Sequence, residues 1–319
     1  MMAKTGSLAK STTAGFVPPR LRPGWRNPKG GSNATEAILR HLPWLSTKVA
    51  KFSMTSNAPW PFASQRLLRL SGFLYPTACS RAGKGTERAT LAGFSRAVRM
   101  LPVAGALVGT VAAAVMAAAR SLGLPSLLAA PLATGALVVL SGAMHEDGLA
   151  DCADGFFGGE TPERKLEIMQ DSRIGAFGAV ALLLSLYLRV MGLALIADNS
   201  LGLACAVLIG AAALSRSLAL MPLLLLPPAR QNGSGFAAGK PAAGAFAVAI
   251  FLAILFALAP VSAGANLSQT LAGISLAAGC AYATGMVAKH QIGGQTGDVA
   301  GAAQQLAEVA YYLALAARF

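Results

Sequence analysis

The acidic residues of this 319-residue chain are concentrated in one short stretch. Of the 13 Asp and Glu residues, eight lie together: Glu146, Asp147, Asp151, Asp154, Glu160, Glu163, Glu167 and Asp171. Carboxylates are hard oxygen ligands, and a magnesium ion held by a few of them usually also takes phosphate oxygens of a substrate. The stretch therefore predicts a metal-and-phosphate site.

The run HEDGLADCADGFFGG, residues 145–159, arranges three of these acids with helical spacing. Asp147, Asp151 and Asp154 stand at i, i+4 and i+7, which places their carboxylates on one face of a helix. Like charges so close repel unless a cation lies between them, so we expect this face to bind Mg²⁺ or Mn²⁺. The alternative is a solvated acidic loop, which the rarity of ionisable groups at membrane depth disfavours.

The two ends of this run carry further candidates. Gly158 and Gly159 close the run and permit the backbone to approach a diphosphate closely. His145 opens the run and is a candidate base or metal-shell residue. A lone histidine at a helix end is satisfied structurally at least as often, so both interpretations stay open for His145.

A second polar run, EIMQDSRIG at residues 167–175, supplies Asp171, Ser172 and Arg173. The planar guanidinium of Arg173 can hold a phosphate through two parallel hydrogen bonds. The alternative for Arg173 is an ordinary anchor at the membrane face. The run is therefore a candidate phosphate clamp.

A third run, KHQIGGQTGDVAG at residues 289–301, combines Lys289 and Asp298 with glycines. Such a composition suits phosphate contacts, although alone it is more often a flexible turn. The run PARQNGSG, residues 228–235, offers Arg230 and is the weaker candidate.

Long apolar segments must position these polar runs. The chain is 55% hydrophobic and 12% charged, with a mean hydropathy of +0.57, against roughly 25% charged residues in soluble domains. A membrane-spanning helix needs about 20 mainly apolar residues. Candidate spans are 98–119, 124–144, 175–196, 201–226, 241–260 and 268–287, with a shorter seventh at 303–317. The predicted fold is an all-α, polytopic integral membrane protein of about six or seven transmembrane helices.

Two arginines lie well inside predicted spans, where a charge is costly unless it faces protein or water. Arg216, in the fourth candidate span, is predicted to reach a substrate phosphate from within the bundle. Arg189, in the third, has no neighbours suited to chemistry and is predicted to pair with another helix. Intramembrane charge therefore has both a functional and a structural interpretation here.

The net charge of +13 belongs to the first third of the chain. Residues 1–100 hold 16 of the 26 Lys and Arg residues but 2 of the 13 acids, so the charge predicts no nucleic-acid partner. We expect residues 1–92 to be a basic, largely disordered arm, with 59–78 at the membrane interface, and 93–319 to be the membrane domain. With the arm in the cytoplasm, the positive-inside rule places all the polar runs on that face.

The polar runs resemble one known family, cobalamin synthase, also called adenosylcobinamide-GDP ribazoletransferase. The run at 145–159 resembles its signature H-x-D-G-L-A-D-T-A-D-G, with Cys152 where threonine is common. LEIMQDSRIG, residues 166–175, and IGGQTGDVAGA, residues 292–302, resemble its second and C-terminal blocks in the same order and spacing. The resemblance covers about residues 93–319.

The resemblance implies the last assembly step of the coenzyme B12 nucleotide loop. In that step α-ribazole or its 5′-phosphate attacks the phosphoryl group that links cobinamide to GMP in adenosylcobinamide-GDP. Adenosylcobalamin or its phosphate forms and GMP leaves, with Mg²⁺ required. The expected location is the bacterial inner (cytoplasmic) membrane, where lipid surrounds the helices and the active site faces the cytoplasm. A homo-oligomer or association with biosynthetic partners is left open.

The resemblance also suggests a division of roles among the candidate residues. We expect the metal at Asp147, Asp151 and Asp154. We expect the substrate at Arg173, Arg216, Lys289, Gly158, Gly159 and Ser172. Asp171 or Asp298 would orient or deprotonate the incoming ribose hydroxyl, and His145 is the third catalytic candidate.

Two other functions share features with this sequence. The CDP-alcohol phosphotransferase pattern D-x-x-D-G-x-x-A-R partly overlaps residues 151–155, but Gly158 and Gly159 replace its Ala-Arg pair. A transporter would explain intramembrane Arg189 and Arg216. A transporter, however, needs charges near the midplane and internal repeats, whereas these acids gather at one membrane face and no convincing repeat is present.

Overall fold

The computed structural model describes residues 87–317, which form helices without a β-strand. The helices are α1 (Glu87–Ser121), α2 (Ser126–Ser141), α3 (Met144–Gly158), α4 (Pro162–Ile168), α5 (Ala176–Asn199), α6 (Leu201–Leu218), α7 (Met221–Leu225), α8 (Ser234–Ala238), α9 (Ala243–Ala257), α10 (Ala259–Ser262), α11 (Leu267–Ile292) and α12 (Gly297–Ala316). The predicted all-α class is confirmed.

Five segments of the described chain are long and apolar enough to cross a membrane. They are Ala97–Ser121, Ala176–Asn199, Leu201–Leu225, Ala243–Ser262 and Leu267–Ile292. Helices α2 and α3 together make a sixth candidate, bent by 88°. The protein is therefore a polytopic membrane protein, and its described residues hold five candidate spans, or six if the bent pair counts as one.

The predicted span 124–144 differs from the structure, because α2 ends at Ser141 and the chain then turns sharply. Gly142 and Ala143 both adopt the left-handed conformation, with φ of 65° and 56°. Their N–H groups donate to Val139 O and Val138 O, which closes the end of α2. A left-handed alanine costs roughly 1–2 kcal/mol, so the bend is a strongly determined feature that sets the direction of α3.

The predicted seventh span, 303–317, covers most of α12 and its C-cap Ala317, but this helix is not among the apolar candidates. It carries Gln304, Gln305 and Glu308, all of which are buried. Helices α3, α5, α6 and α11 pack around it. Helix α12 is therefore a central helix that faces protein on most of its surface, which explains why its polar side chains are tolerated.

Small residues bring the membrane helices close together. A Cβ atom on Gly105 of α1 would lie 2.4 Å from the backbone oxygen of Ala212 in α6. Gly109, one turn later, meets Leu208 O in the same way, at 2.6 Å. Such contacts are typical of helices that pack inside a bilayer, where no hydrophobic effect drives them together.

The predicted domain boundary at residues 92 and 93 stays a prediction. The arm's residues 1–86, including the predicted interfacial segment 59–78, lie outside the described residues, and α1 begins at Glu87.

Candidate active site

Helix α3 carries the three predicted metal ligands, as the sequence spacing indicated, but places them in different surroundings. Asp147 is exposed, Asp151 is partly buried and Asp154 is only 9% exposed. The stripe of carboxylates thus runs from the open surface into the protein. Its members face different partners.

Asp154 forms hydrogen bonds with the beginning of α5. Its Oδ2 accepts from the backbone N–H of Gly175 at 2.7 Å, and its Oδ1 from that of Gly178 at 2.8 Å. Added Cβ atoms on these glycines would lie 2.4 and 2.3 Å from the carboxylate oxygens. Asp154 therefore satisfies the free N–H groups at a helix N-terminus, where a negative charge is also favoured by the helix dipole. Its predicted role as a metal ligand stays a prediction.

Asp151 lies near the negative charges of Asp147, Asp298 and Asp154, and near the positive charge of Arg230. Contact between α3 and the start of α12 produces this grouping, since a Cβ on Gly148 would lie 2.7 Å from Asp298 O. The runs at 145–159 and 289–301 therefore meet, as expected for parts of one site.

Arg230 connects the weakest of the predicted runs to this acidic group. Its Nη2 lies 3.1 Å from Asp298 Oδ2, to which Thr296 Oγ1 also donates, at 3.2 Å. The backbone of Gln295 also holds this turn in place. Its N–H donates to Pro227 O at 2.8 Å, and its carbonyl oxygen accepts from Ala229 N–H at 2.9 Å. The sequence predicted Arg230 only as the weaker candidate and gave it no role, because its one signal was its position in a Pro-, Gly- and Asn-rich turn.

The predicted clamp, Asp171, Ser172 and Arg173, forms an exposed loop between α4 and α5. Arg173 donates to both carboxylate oxygens of Asp171, at 2.6–3.1 Å. This contact lowers the pKa of Asp171 to about 2 and raises that of Arg173. A carboxylate with so low a pKa is a weak base near neutral pH. In this conformation Asp171 and Arg173 bind each other.

Gly158 and Gly159, predicted to contact the substrate, lie at the end of α3 and close to α4. A Cβ on Gly159 would lie 2.6 Å from Lys165 Cγ, whereas one on Gly158 would meet Ile168 Cδ1 at 3.7 Å. Gly159 therefore allows α3 and α4 to pack closely. Lys165 Nζ donates to Gln291 Oε1, which joins α4 to the end of α11. Lys289 is exposed in the last turn of α11.

Arg216 and His145 are buried behind the aspartates. Arg216 Nη1 lies 3.9 Å from Glu308 Oε2 and donates to Ala212 O at 3.2 Å. His145 is 7% exposed and lies near the charges of Arg216, Glu308 and Arg189. Both residues therefore belong to a charged cluster inside the bundle, and their predicted substrate and catalytic roles stay predictions.

Arg189 of α5 is the centre of that buried cluster. Its guanidinium donates to Glu146 Oε1 and Glu308 Oε1, both at 2.9 Å, and to Gln305 Oε1 at 3.1 Å. Gln304 donates to Glu308 Oε2 at 2.6 Å. The prediction that Arg189 pairs with other helices is confirmed, since its partners lie on α3 and α12. The name core network is used below for Glu146, Arg189, Arg216, Gln304, Gln305 and Glu308.

The acidic group fits a cation held chiefly by its substrate. Among residues 87–317 no three His, Cys, Asp or Glu side chains are grouped closely enough to form a metal site by themselves. A magnesium ion that binds phosphates usually takes one or two carboxylates and keeps several waters. The sparse and partly exposed set of Asp147, Asp151 and Asp298 suits such an ion. The name site aspartates is used below for these three residues.

A comparison with known proteins identifies the family. A family model described as cobalamin-5-phosphate synthase matches residues 78–316. The chain belongs to the cobalamin-5-phosphate synthase family. This match extends over all twelve described helices and includes every site residue considered above. The resemblance drawn from the three polar runs is therefore confirmed.

Individual relatives agree with the cobalamin-5-phosphate synthase family. A protein of Azorhizobium caulinodans is 44% identical over 235 residues, which cover 73% of this chain and 88% of the relative. A protein of Sinorhizobium sp. is 45% identical over 70% of this chain and 86% of the relative. A protein of Allorhizobium ampelinum is 39% identical over 68% of this chain and 83% of the relative. All three are named adenosylcobinamide-GDP ribazoletransferase. No solved structure matches the chain.

Proposed function

We propose that this chain transfers the adenosylcobinamide-phosphoryl group from adenosylcobinamide-GDP to α-ribazole or its 5′-phosphate. The products are adenosylcobalamin or its 5′-phosphate, and GMP. The observation that carries the proposal is the meeting of Asp151, Asp298 and Arg230 from three separate runs, in a chain whose relatives bear the name of this transferase. Carboxylates beside a guanidinium suit a diphosphate and its cation.

The reaction exchanges one P–O bond for another. The ribose hydroxyl oxygen of the acceptor forms a bond to the phosphorus attached to cobinamide, while the bond from that phosphorus to the oxygen of GMP breaks. GMP leaves with the electron pair, and the hydroxyl proton passes to a base. The protein has little covalent chemistry to do in phosphoryl transfer, so positioning and charge stabilisation supply most of the rate enhancement.

Magnesium is proposed at Asp147 and Asp151, with Asp154 as a further candidate ligand. The ion, when bound, neutralises charge on the diphosphate and its leaving group. Arg230 adds a fixed positive charge beside Asp298, and its Nη1 is buried without a hydrogen-bond partner among the described residues. A phosphate oxygen would satisfy that nitrogen. Arg173 and Lys289 are exposed and are proposed to contact the substrate once it is bound.

We propose that Asp298 is the base that accepts the proton of the incoming ribose hydroxyl. Asp171, the other predicted candidate, is held by Arg173 with a pKa of about 2, which makes it a poor acceptor. Asp298 is also paired with an arginine, Arg230, but burial raises the pKa of Asp298. It lies beside Asp151, where the reacting phosphate would bind. Of these two carboxylates, therefore, Asp298 is the better placed to orient and deprotonate the hydroxyl.

The proposed location is the bacterial inner membrane, with lipid around the bundle and the site on the cytoplasmic face. The support is the charge of the N-terminal residues, since 16 of the 26 Lys and Arg lie in residues 1–100. Basic segments remain preferentially in the cytoplasm. The polar runs that form the site follow an even number of crossings in the predicted topology, which counts α2 as one crossing.

The first experiment measures GMP release from adenosylcobinamide-GDP by the purified full-length protein in nanodiscs. Release is expected only with both α-ribazole 5′-phosphate and Mg²⁺, and EDTA should abolish it. Asp151→Asn should lose roughly 100-fold or more in turnover, whereas the exposed Asp198→Asn should not. Transfer from a CDP-linked donor in place of GMP release would contradict the proposal.

A second readout tests the metal without turnover. Mg²⁺ at 100 times its Kd should stabilise the unliganded wild type by about 2.7 kcal/mol, and Asp151→Asn much less. Equal stabilisation of both proteins would exclude Asp151 as a ligand.

A further inference from the structure

An open cleft lies beside Arg230 at the same end of the molecule as the site aspartates. Its volume is about 430 Å³, within the usual range of roughly 300–1,000 Å³ for small-molecule sites. The residues that line it are Glu163, Leu166, Glu167, Gln170, Arg230, Gln231 and Asn232. One wall therefore comes from α4 and the turn after it, and the other from the turn that follows α7.

The lining has a definite hydrogen-bonding character. Two carboxylates accept, three carboxamides both donate and accept, and Leu166 is the one apolar side chain among the lining residues. Glu167 is paired with Arg164 at 2.6 Å, whereas Glu163 forms no ion pair within residues 87–317. The cleft thus offers one uncommitted carboxylate and a small apolar surface, which suits a planar polar ring with hydrogen-bond donors on its edge.

We infer that this cleft binds the guanine base of adenosylcobinamide-GDP, an inference that rests on the proposed function. Guanine carries the N1–H and N2–H donors side by side, so one carboxylate accepts from both. Its O6 and N7 are acceptors, which the carboxamides of Gln231 and Asn232 can satisfy. The flat face of the ring packs on Leu166.

The base of α-ribazole and the corrin ring fit this cleft poorly. The benzimidazole base of α-ribazole has no N–H once it is joined to ribose, so it would leave the Glu163 carboxylate without a donor. A base without an N–H donor forgoes hydrogen bonds to a charged acceptor, which lowers its affinity for the cleft relative to guanine. The corrin ring is much larger than the cleft. Of the bases in the two substrates, guanine alone carries an N–H and an amino group side by side, the pair that one carboxylate accepts.

Arg230 connects the cleft to the site aspartates. Its side chain lines the cleft while its Nη2 lies 3.1 Å from Asp298 Oδ2. The turn folds closely around it, since Gly233 has a φ of 87° and a Cβ there would lie 3.2 Å from Arg230 Nε. With guanine in the cleft, the GDP phosphates extend across Arg230 towards Asp151 and Asp298. The phosphate next to cobinamide then lies where the metal and the proposed base are.

The test compares binding of GMP and of IMP, which lacks the 2-amino group, to the full-length protein by calorimetry. The wild type should bind GMP on the order of 10-fold more tightly than IMP, the value of one hydrogen bond to a charged group. Glu163→Gln should weaken GMP roughly 10- to 100-fold and remove most of that preference. The matched control is Glu160→Gln, an exposed residue of the same type outside the cleft, which should bind GMP like the wild type.

Several outcomes overturn the inference. Equal affinities for GMP and IMP in the wild type, or unchanged GMP affinity in Glu163→Gln, would show that guanine binds elsewhere. If Glu163→Gln raises the KM for α-ribazole 5′-phosphate and leaves the KM for adenosylcobinamide-GDP unchanged, the cleft binds α-ribazole 5′-phosphate instead. The proposed function can fail independently of this inference. If the protein prefers GMP to IMP through Glu163 but releases no GMP from adenosylcobinamide-GDP, the guanine subsite is supported and the proposed reaction is wrong.

Discussion

Glu146 and Asp147 are neighbours in the chain, yet they belong to two charged regions with opposite properties. Glu146 is 6% exposed and bonded to Arg189 and Gln305, whereas Asp147 is exposed and lies among like charges. Helix α12 is divided in the same way, since Asp298 faces the site and Glu308 the core network. Two helices thus carry both regions.

The difference between the regions is charge compensation. In the core network two carboxylates face the guanidiniums of Arg189 and Arg216, and carboxamides satisfy much of the remaining hydrogen bonding. Among the site aspartates the negative charges exceed the single nearby Arg230. A compensated cluster holds helices together, while an uncompensated one is free to bind a cation and a phosphate. Mutations should therefore change stability in one region and function in the other.

The largest effect is expected from Arg189→Met, which would leave Glu146 and Glu308 as uncompensated charges in the core. Breaking a buried pair costs about 3–5 kcal/mol, or roughly 10 °C in unfolding midpoint for a domain of this size. The unfolding midpoint can be measured on heating with a thiol-reactive dye that labels the buried Cys152 once the protein unfolds. Arg164→Met, which removes an exposed pair, is the control and should change the midpoint little. Similar midpoints for the two variants would refute the structural role of the core network.

A smaller loss of stability is expected from Gly178→Ala at the boundary between the regions. The new methyl group would lie 2.3 Å from Asp154 Oδ2 and displace the carboxylate from the start of α5. Loss of a helix cap costs about 0.5–2 kcal/mol, which thermal unfolding in detergent would detect. Gly244→Ala, at the second residue of α9 with open space around it, should be neutral or slightly stabilising. Equal effects would show that Asp154 does not hold α5.

The smallest effect, and the one of opposite sign, is expected from Asp151→Asn in EDTA. Asp147 and Asp151 are four residues apart on α3, where a like-charged pair destabilises a helix by about 0.2–0.5 kcal/mol. Neutralising Asp151 should therefore raise the unfolding midpoint by about 1 °C, although turnover is lost. A midpoint lowered by several degrees would mean that Asp151 supports the fold and would remove the distinction between the two regions.

The sequence predicted the helical class, and the helix that carries Asp147, Asp151 and Asp154, because hydropathy and i, i+4, i+7 spacing are local properties. It could not distribute roles among the three aspartates of α3, since that depends on where another helix begins. Asp154 finds its partners Gly175 and Gly178 more than 20 residues away. Arg230 likewise reaches Asp298 across 68 residues, a distance at which spacing carries no information.

Helix α12 and the turn before α3 show two further limits of sequence reasoning. Average hydropathy does not distinguish a lipid-facing helix from a central one, so the Arg189 partner Glu308 was not identified in advance. The break after Ser141 was missed for another reason. It needs a left-handed alanine at position 143, and alanine carries no signal for that conformation.

The bend at Gly142 and Ala143 makes the length of α2 a determinant of the site's orientation. Helix α3 continues from α2 through two residues of fixed conformation, so one residue inserted in α2 would turn α3 by about 100° and displace it by about 1.5 Å. The carboxylates would then rotate away from Asp298 while every functional group remained present. Insertions or deletions in this helix should be tolerated only in steps close to a whole turn.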